Sequence, residues 1–398
     1  MLAGCLIAAC SDAEVQPRSS DPQKLSSRGL YANFGKRSVV SEALEYAPEF
    51  ALWSDGADKR RWLILPPGSR IDTSDLAHWD FPVGTKLFKE FSLEGTLLET
   101  RLIERVKATG RTKEDFFMGS FIWLADQSEA LLDMNGRDNV NGTEHDVPAQ
   151  KFCSVCHVGE PSAVLGFSAV QLAVEETQRR VNERGVLSAP LERSYAVPGD
   201  DVQRAALGSL HANCGHCHAE GAHDDFMHLR ILPSEADTAV ADLDAYKNMV
   251  GVALSDEWKE RPSEYATRIV PGDPDMSAIV YRMTQRGDDE LVQDQMPPIA
   301  SRKVDVDGLA AVRTWVESLR PEPPGMDAGP PRMAPVMNAE TAGHAPPAVE
   351  MRPSEPAEMP APSMEMPIDS SDLDAGVPAA DSGSPVDDLD AGVAEVDL

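Results

Sequence analysis

Two short strings constrain this chain more than anything else in it. CSVCH at 153–157 and CGHCH at 214–218 share one pattern, two cysteines three apart with a histidine directly after the second. Together they take four of the six cysteines in 398 residues. Composition alone yields such a string roughly 0.002 times in a chain of this length. Three chemistries use paired cysteines. A four-thiolate zinc site favours two close pairs about 15–20 residues apart, whereas 57 residues separate Cys156 from Cys214. Zinc also gives no reason for a histidine after each pair. A dithiol redox site belongs in a βαβ setting, which neither pair has. Covalent haem attachment accounts for every feature: each thiol adds to a vinyl group, and the adjacent histidine reaches the iron. The expectation is therefore two c-type haems, anchored by Cys153 and Cys156 and by Cys214 and Cys217, with His157 and His218 as proximal ligands.

The remaining axial positions are read from flanks. DQMPPIA places Met296 ahead of two prolines, which restrict the backbone and hold the preceding residue extended, a setting suited to presenting a side chain to iron. Met296 is the candidate distal ligand of the second haem, with Met276 and Met283 as rivals. For the first haem, Met118, Met134 and His145 precede the motif and His211 follows it. On a continuous helix His211 and His218 share one side about 10.5 Å apart, too far for the same iron but within reach of a neighbouring one. His211 and His145 are the distal candidates there, and an open site is the alternative. An open site used for catalysis wants an acid or base beside the iron, for which Glu144 and His145 are candidates.

The N-terminus, MLAGCLIAACSDAE, has a short apolar run with small residues before cysteine. It resembles the end of a secretory signal with a lipid-attachment box at Cys5 or Cys10. No other apolar run is long enough to span a bilayer. The expected location is the cell envelope, as a periplasmic or outer-surface lipoprotein of a bacterium, held to the membrane by the N-terminal lipid alone. The formal charge of −30 argues against nucleic acid, and it favours redox partner proteins with basic surfaces.

Patterning divides the chain into 1–10, a truncated signal, 11–45, a polar linker, and 46–150, an antiparallel β domain. In that domain RWLILPPG, TKLFKEFSL, LLETRLIERV, FFMGSFIWLA and EALLDM read as strands, with turns at Glu94-Gly95 and Ser54-Asp55-Gly56. Residues 151–200 form the first haem-attachment segment and 201–320 a region of helical period. Val202, Ala206, Leu210 and Cys214 form one stripe, and Leu309, Val312, Val316 and Leu319 another, the latter with Asp305 or Asp307 as N-cap. From 321 to 398 the chain holds 16 Asp and Glu against two Arg, and no aromatic residue. This reads as a disordered, acidic, Pro-rich tail.

The strings YAPEFALWSDGADKRRWLILPPGSRIDTSDLAHWDFPVGTKLFKEF, ETRLIER, LHANCGHCH, IVPGDPDMSAIVYRM and MPP, with the two CxxCH motifs, resemble a family of bacterial envelope di-haem cytochromes. The resemblance spans roughly 46 to 320. It implies that the C-terminal part is similar to class I cytochrome c, with Cys214 and Cys217 as anchors, His218 as proximal and Met296 as distal ligand. It further implies that the helix entering the second motif packs on the last helix. The fold expected overall is multidomain α and β: an antiparallel β domain, then a mostly α-helical, cytochrome c-like di-haem region, then the tail. The function expected is electron transfer, with a haem peroxidase or small-molecule oxidase as the alternative.

Overall fold

The computed structural model describes residues 21–320 apart from 110–112, 158, 161, 223, 225, 255–264 and 288–293. Cys5, Cys10 and the acidic tail lie outside the described residues.

The described chain opens with a small hairpin, β1 (Tyr31–Asn33) and β2 (Ser38–Val39). A six-stranded antiparallel meander comes next: β3 (Leu44–Glu45), β4 (Asp58–Ile64), β5 (Lys86–Leu93), β6 (Thr96–Arg105), β7 (Phe116–Trp123) and β8 (Ala130–Asp133), each paired with the next. Strands β4 to β8 coincide with the five apolar strings. The β5–β6 connection turns at Glu94 and Gly95, whose φ angles of 50° and 81° are both positive. That geometry matches the right-handed twist of the strands and favours glycine at the second position.

Side chains alternate across this sheet, and both faces are covered. Trp62, Phe88, Leu102 and Phe121 point to one side, where Leu25, Leu30 and Tyr31 pack on them. The Tyr31 hydroxyl donates to Glu90 Oε2 at 2.6 Å. Residues 21–43 are therefore not a linker but a cover for the sheet, and 44–45 are its first strand. Their apolar anchors are few and lack a regular period, so composition reads them as polar. Leu63, Leu87 and Met118 point to the other side, against Phe167, Leu172, Val181 and Leu187 from the segment after the first motif. Each fully buried side chain of this size contributes about 1.5–3 kcal/mol, so the segment after the first motif and the sheet share one core.

The second half departs from the expected mostly α-helical, cytochrome c-like region. Among the described residues it has six α-helices: α1 (Cys153–His157), α2 (Glu175–Arg184), α3 (Asp201–Asn213), α4 (Asp244–Met249), α5 (Ala278–Thr284) and α6 (Val306–Ser318). Only α3 and α6 reach 13 residues. Between them run turns, 3-10 segments and isolated bridges such as Val250 to Ile269 and Ala253 to Thr267. The physical reason lies in strings such as IVPGDPDM, where proline withholds an amide donor and glycine turns the chain, so no helix propagates.

The two long helices do pack on each other. Ala206, Leu207 and Leu210 of α3 meet Val312, Trp315 and Val316 of α6 in one cluster. Helix α3 begins with a reciprocal cap: Asp200 accepts from the Gln203 amide, and the Gln203 side chain returns to the Asp200 amide. Asp305 caps α6 through the Gly308 amide at 3.0 Å. Val202, the first member of the expected stripe, is exposed, because the buried face starts only at Ala206.

Candidate functional site

The two motifs are held differently. Helix α1 is the first motif itself, a single turn reached through a 3-10 turn at Gln150–Phe152. The second motif begins past the end of α3 at Asn213 and curls tightly, the His218 amide donating to Cys214 O at 2.9 Å. His211 and His218 therefore do not share one helix, and the axial spacing expected between them does not apply.

The structure brings the motifs together. Cys156, His216 and Cys217 place ligand atoms within 4.8 Å of one another. The neighbouring Cys217 and His216 push the Cys156 thiol down, while Cys156 and burial push Cys217 up. Burial pushes Cys214 up to about 12. Glycines permit the approach. A Cβ on Gly159 would stand 2.5 Å from His216 O, and one on Gly215 would stand 2.7 Å from His211 O. Arg230 binds across the junction, pairing with Glu160 at 2.9 Å and donating to Gly159 O and Ala77 O.

Both motifs open onto one cavity of about 490 Å³, within the ~300–1,000 Å³ common for cofactor and ligand sites. All four motif cysteines, His157, His218 and Met296 line it. Fit to haem can be judged from this geometry. His157 donates from Nδ1 to Ala163 O at 2.7 Å, which fixes the tautomer and leaves Nε2 as the available lone pair. His218 is buried, and its Nδ1 lacks a hydrogen-bond partner. Burial lowers both imidazoles to about 4, so both are neutral near pH 7, the form that binds metal. These residues fit the group. Cys153 and Cys156 would hold one haem and Cys214 and Cys217 the other, and the iron would supply one-electron chemistry.

Met296 stands on a wall of that cavity, in a tied loop. Its amide donates to Arg282 O at 3.1 Å, and Arg286 donates to its carbonyl at 3.2 Å. The buried Gln295 side chain closes the loop onto Pro297 O and Ser301 O. Met283 also lines the cavity, whereas Met276 is exposed and away from it.

Around the first motif, Met118 lines the cavity and Met134 is exposed. His211 Nδ1 accepts from the Ile231 amide at 3.0 Å. A neutral imidazole that accepts at Nδ1 carries its proton on Nε2, so that nitrogen has no lone pair for iron. His145 Nε2 lies 2.9 Å from Glu99 Oε1. Glu99 in turn takes a two-pronged bond from Arg101, at 3.0 and 2.6 Å. Burial raises the Glu99 carboxyl, but Arg101 and His145 outweigh it and hold Glu99 at about 2. Neither histidine thus offers a free Nε2. Glu144 sits at the surface, paired with Lys303 at 2.6 Å.

One arrangement has no signal in the sequence. The turn WSDG reads locally as a turn, yet it secures segments far along the chain. Trp53 donates from its amide to Asn213 Oδ1 and from its indole to Lys303 O, and Asp55 accepts the amides of Arg302 and Lys303. The turn thus ties the end of α3 to the segment just beyond Met296. Partners 250 residues apart leave no local pattern.

No protein-family model, curated protein or solved structure matches this chain. The resemblance to di-haem cytochromes therefore rests on the sequence strings alone. Among the described residues no helix is long and apolar enough to cross a membrane.

Proposed function

We propose that the protein is a di-haem c-type cytochrome that passes electrons in the bacterial cell envelope, delivering them to redox partner proteins. The observation that carries this reading is the convergence of both CxxCH motifs on one cavity, with a neutral histidine from each on its wall. Cofactors attached there would lie in adjoining positions, and short separation favours electron passage. His157 and His218 would be the proximal ligands and Met296 the distal ligand of the second iron, leaving that iron no room for substrate.

The test is the ferric and ferrous absorption spectrum of the purified protein, together with its intact mass. Two covalent haems are expected. One haem, or a zinc ion on Cys156, His216 and Cys217, overturns the reading.

A second reading, a haem enzyme with an open first iron, is favoured by one observation. Of the two histidines expected to fill that position, His145 has its Nε2 against Glu99, and His211 accepts at Nδ1 and so keeps its proton on Nε2. Carbon monoxide separates the two readings. A carrier with both irons filled binds little when reduced, whereas an open first haem binds one equivalent quickly.

A further inference from the structure

Strand register places three cations in one row. Arg61 of β4 stands directly opposite Lys89 of β5, and Lys89 directly opposite Arg101 of β6. Opposed residues of an antiparallel sheet project to the same face. All three line the cavity, on the wall that also carries Cys153. Like charges placed this way repel, and among the described residues the row has only one counter-ion. Arg101 is held by Glu99. Lys89 lies over the Phe91 ring at 4.7 Å, and Arg61 is 7% exposed. Neither has a carboxylate within ion-pair distance among the described residues. Burial and its guanidinium neighbours push the Lys89 ammonium well below the usual lysine range, so the row stays fully charged only when something anionic enters the cavity.

We propose that Arg61, Lys89 and Arg101 form an anion site that takes one carboxylate-type group in the cavity beside the first motif. Two sources have this chemistry: a propionate of a haem held by Cys153 and Cys156, or a free small oxyanion. A flat guanidinium on either side of a mobile ammonium suits two oxygens of one planar group. Ser120, opposite Arg101 on β7, adds a hydroxyl at the end of the row. The row itself does not depend on the haem reading, although the propionate source does.

The experiment uses the full chain as purified, its haem content known from mass. Formate is titrated at constant ionic strength against chloride, with melting temperature as readout, on the wild type, Lys89→Met and Lys89→Gln. For a free oxyanion, formate raises the wild-type melting temperature saturably, and the variants bind it at least tenfold more weakly. For a propionate, formate has no effect, and the pH at which the first haem's potential begins to fall moves upward in the variants, because the acid loses its cationic neighbour. Absence of both effects overturns the proposal, whatever the variants do to stability. Should mass show no haem, the formate arm alone decides, so failure of the row and failure of the haem reading stay distinguishable.

Discussion

Asp55 Oδ1 accepts the amides of Arg302 and Lys303 at 3.0 and 2.9 Å, joining a turn near the start of the sheet to the loop that carries Met296. Asp55 has a φ of 53° and is 8% exposed. Asp55→Ala loses both bonds and meets a φ that alanine adopts poorly. With two amides left unsatisfied, the expected loss is about 2–4 kcal/mol. Asp55→Asn tolerates the backbone and keeps an acceptor, so about 1 kcal/mol is expected. Urea unfolding of the two variants measures this, and equal midpoints for wild type and alanine variant contradict the tether.

Gly159 is a contact point between the two motifs. Its added methyl would lie 2.5 Å from His216 O and 2.6 Å from Ala222 Cβ. Gly159→Ala must therefore push the motifs apart, at an expected cost of about 1–3 kcal/mol. Thermal melts check the stability. A silent substitution means the motifs do not press together in solution.

Removing the Met296 thioether leaves the loop's backbone bonds intact, since its ties run through main-chain atoms. Met296→Ala is therefore expected to keep the fold while lowering one haem's potential and abolishing the thioether-to-iron absorption band. Retention of that band moves the role to Met283, the other methionine on the cavity wall near this loop.

Glu99 ties stability to acid. Its folded value is about 2 against an ordinary 4.5. A depressed carboxylate contributes stability that is complete above about 4.5 and lost as pH falls through about 2, a loss of about 3 kcal/mol. Glu99→Gln leaves the half-buried Arg101 without its counter-ion, so it is expected to be less stable at neutral pH by about 1.5–3 kcal/mol. Its stability should also change less between pH 4.5 and 2 than that of the wild type. Parallel acid-unfolding curves for the two proteins refute the pairing.

The strands were legible because alternation of apolar and polar residues is a local signal, and Glu94-Gly95 is a local turn. The two CxxCH strings are local as well, but their meeting at one cavity is not. The cover formed by Leu25, Leu30 and Tyr31 was not legible, since three side chains without a period do not stand out in a polar stretch. The helical period of 201–320 overstated the helix content beyond the sheet, because prolines and bridges such as Thr267 to Ser277 replace much of the helix with turns. The cation row was hidden differently. KRRW, FKEF and ETR are unremarkable strings until register sets Arg61, Lys89 and Arg101 side by side. His211 and His145 were visible as residues, but only their partners decide which nitrogen keeps its proton.

The core shared by the sheet and the segment after the first motif has a consequence for how this protein can be taken apart. Phe167 sits against Tyr46, Trp79 and Phe81, ring centroids 4.7 to 6.1 Å away. A break in the chain between 150 and 160 would strip those rings of their partner and leave each fragment with half a core. The β portion is thus not a cassette that can be cloned, swapped or deleted apart from the first motif. Shuffling of parts would have to use a seam other than the one that the cysteine pattern suggests.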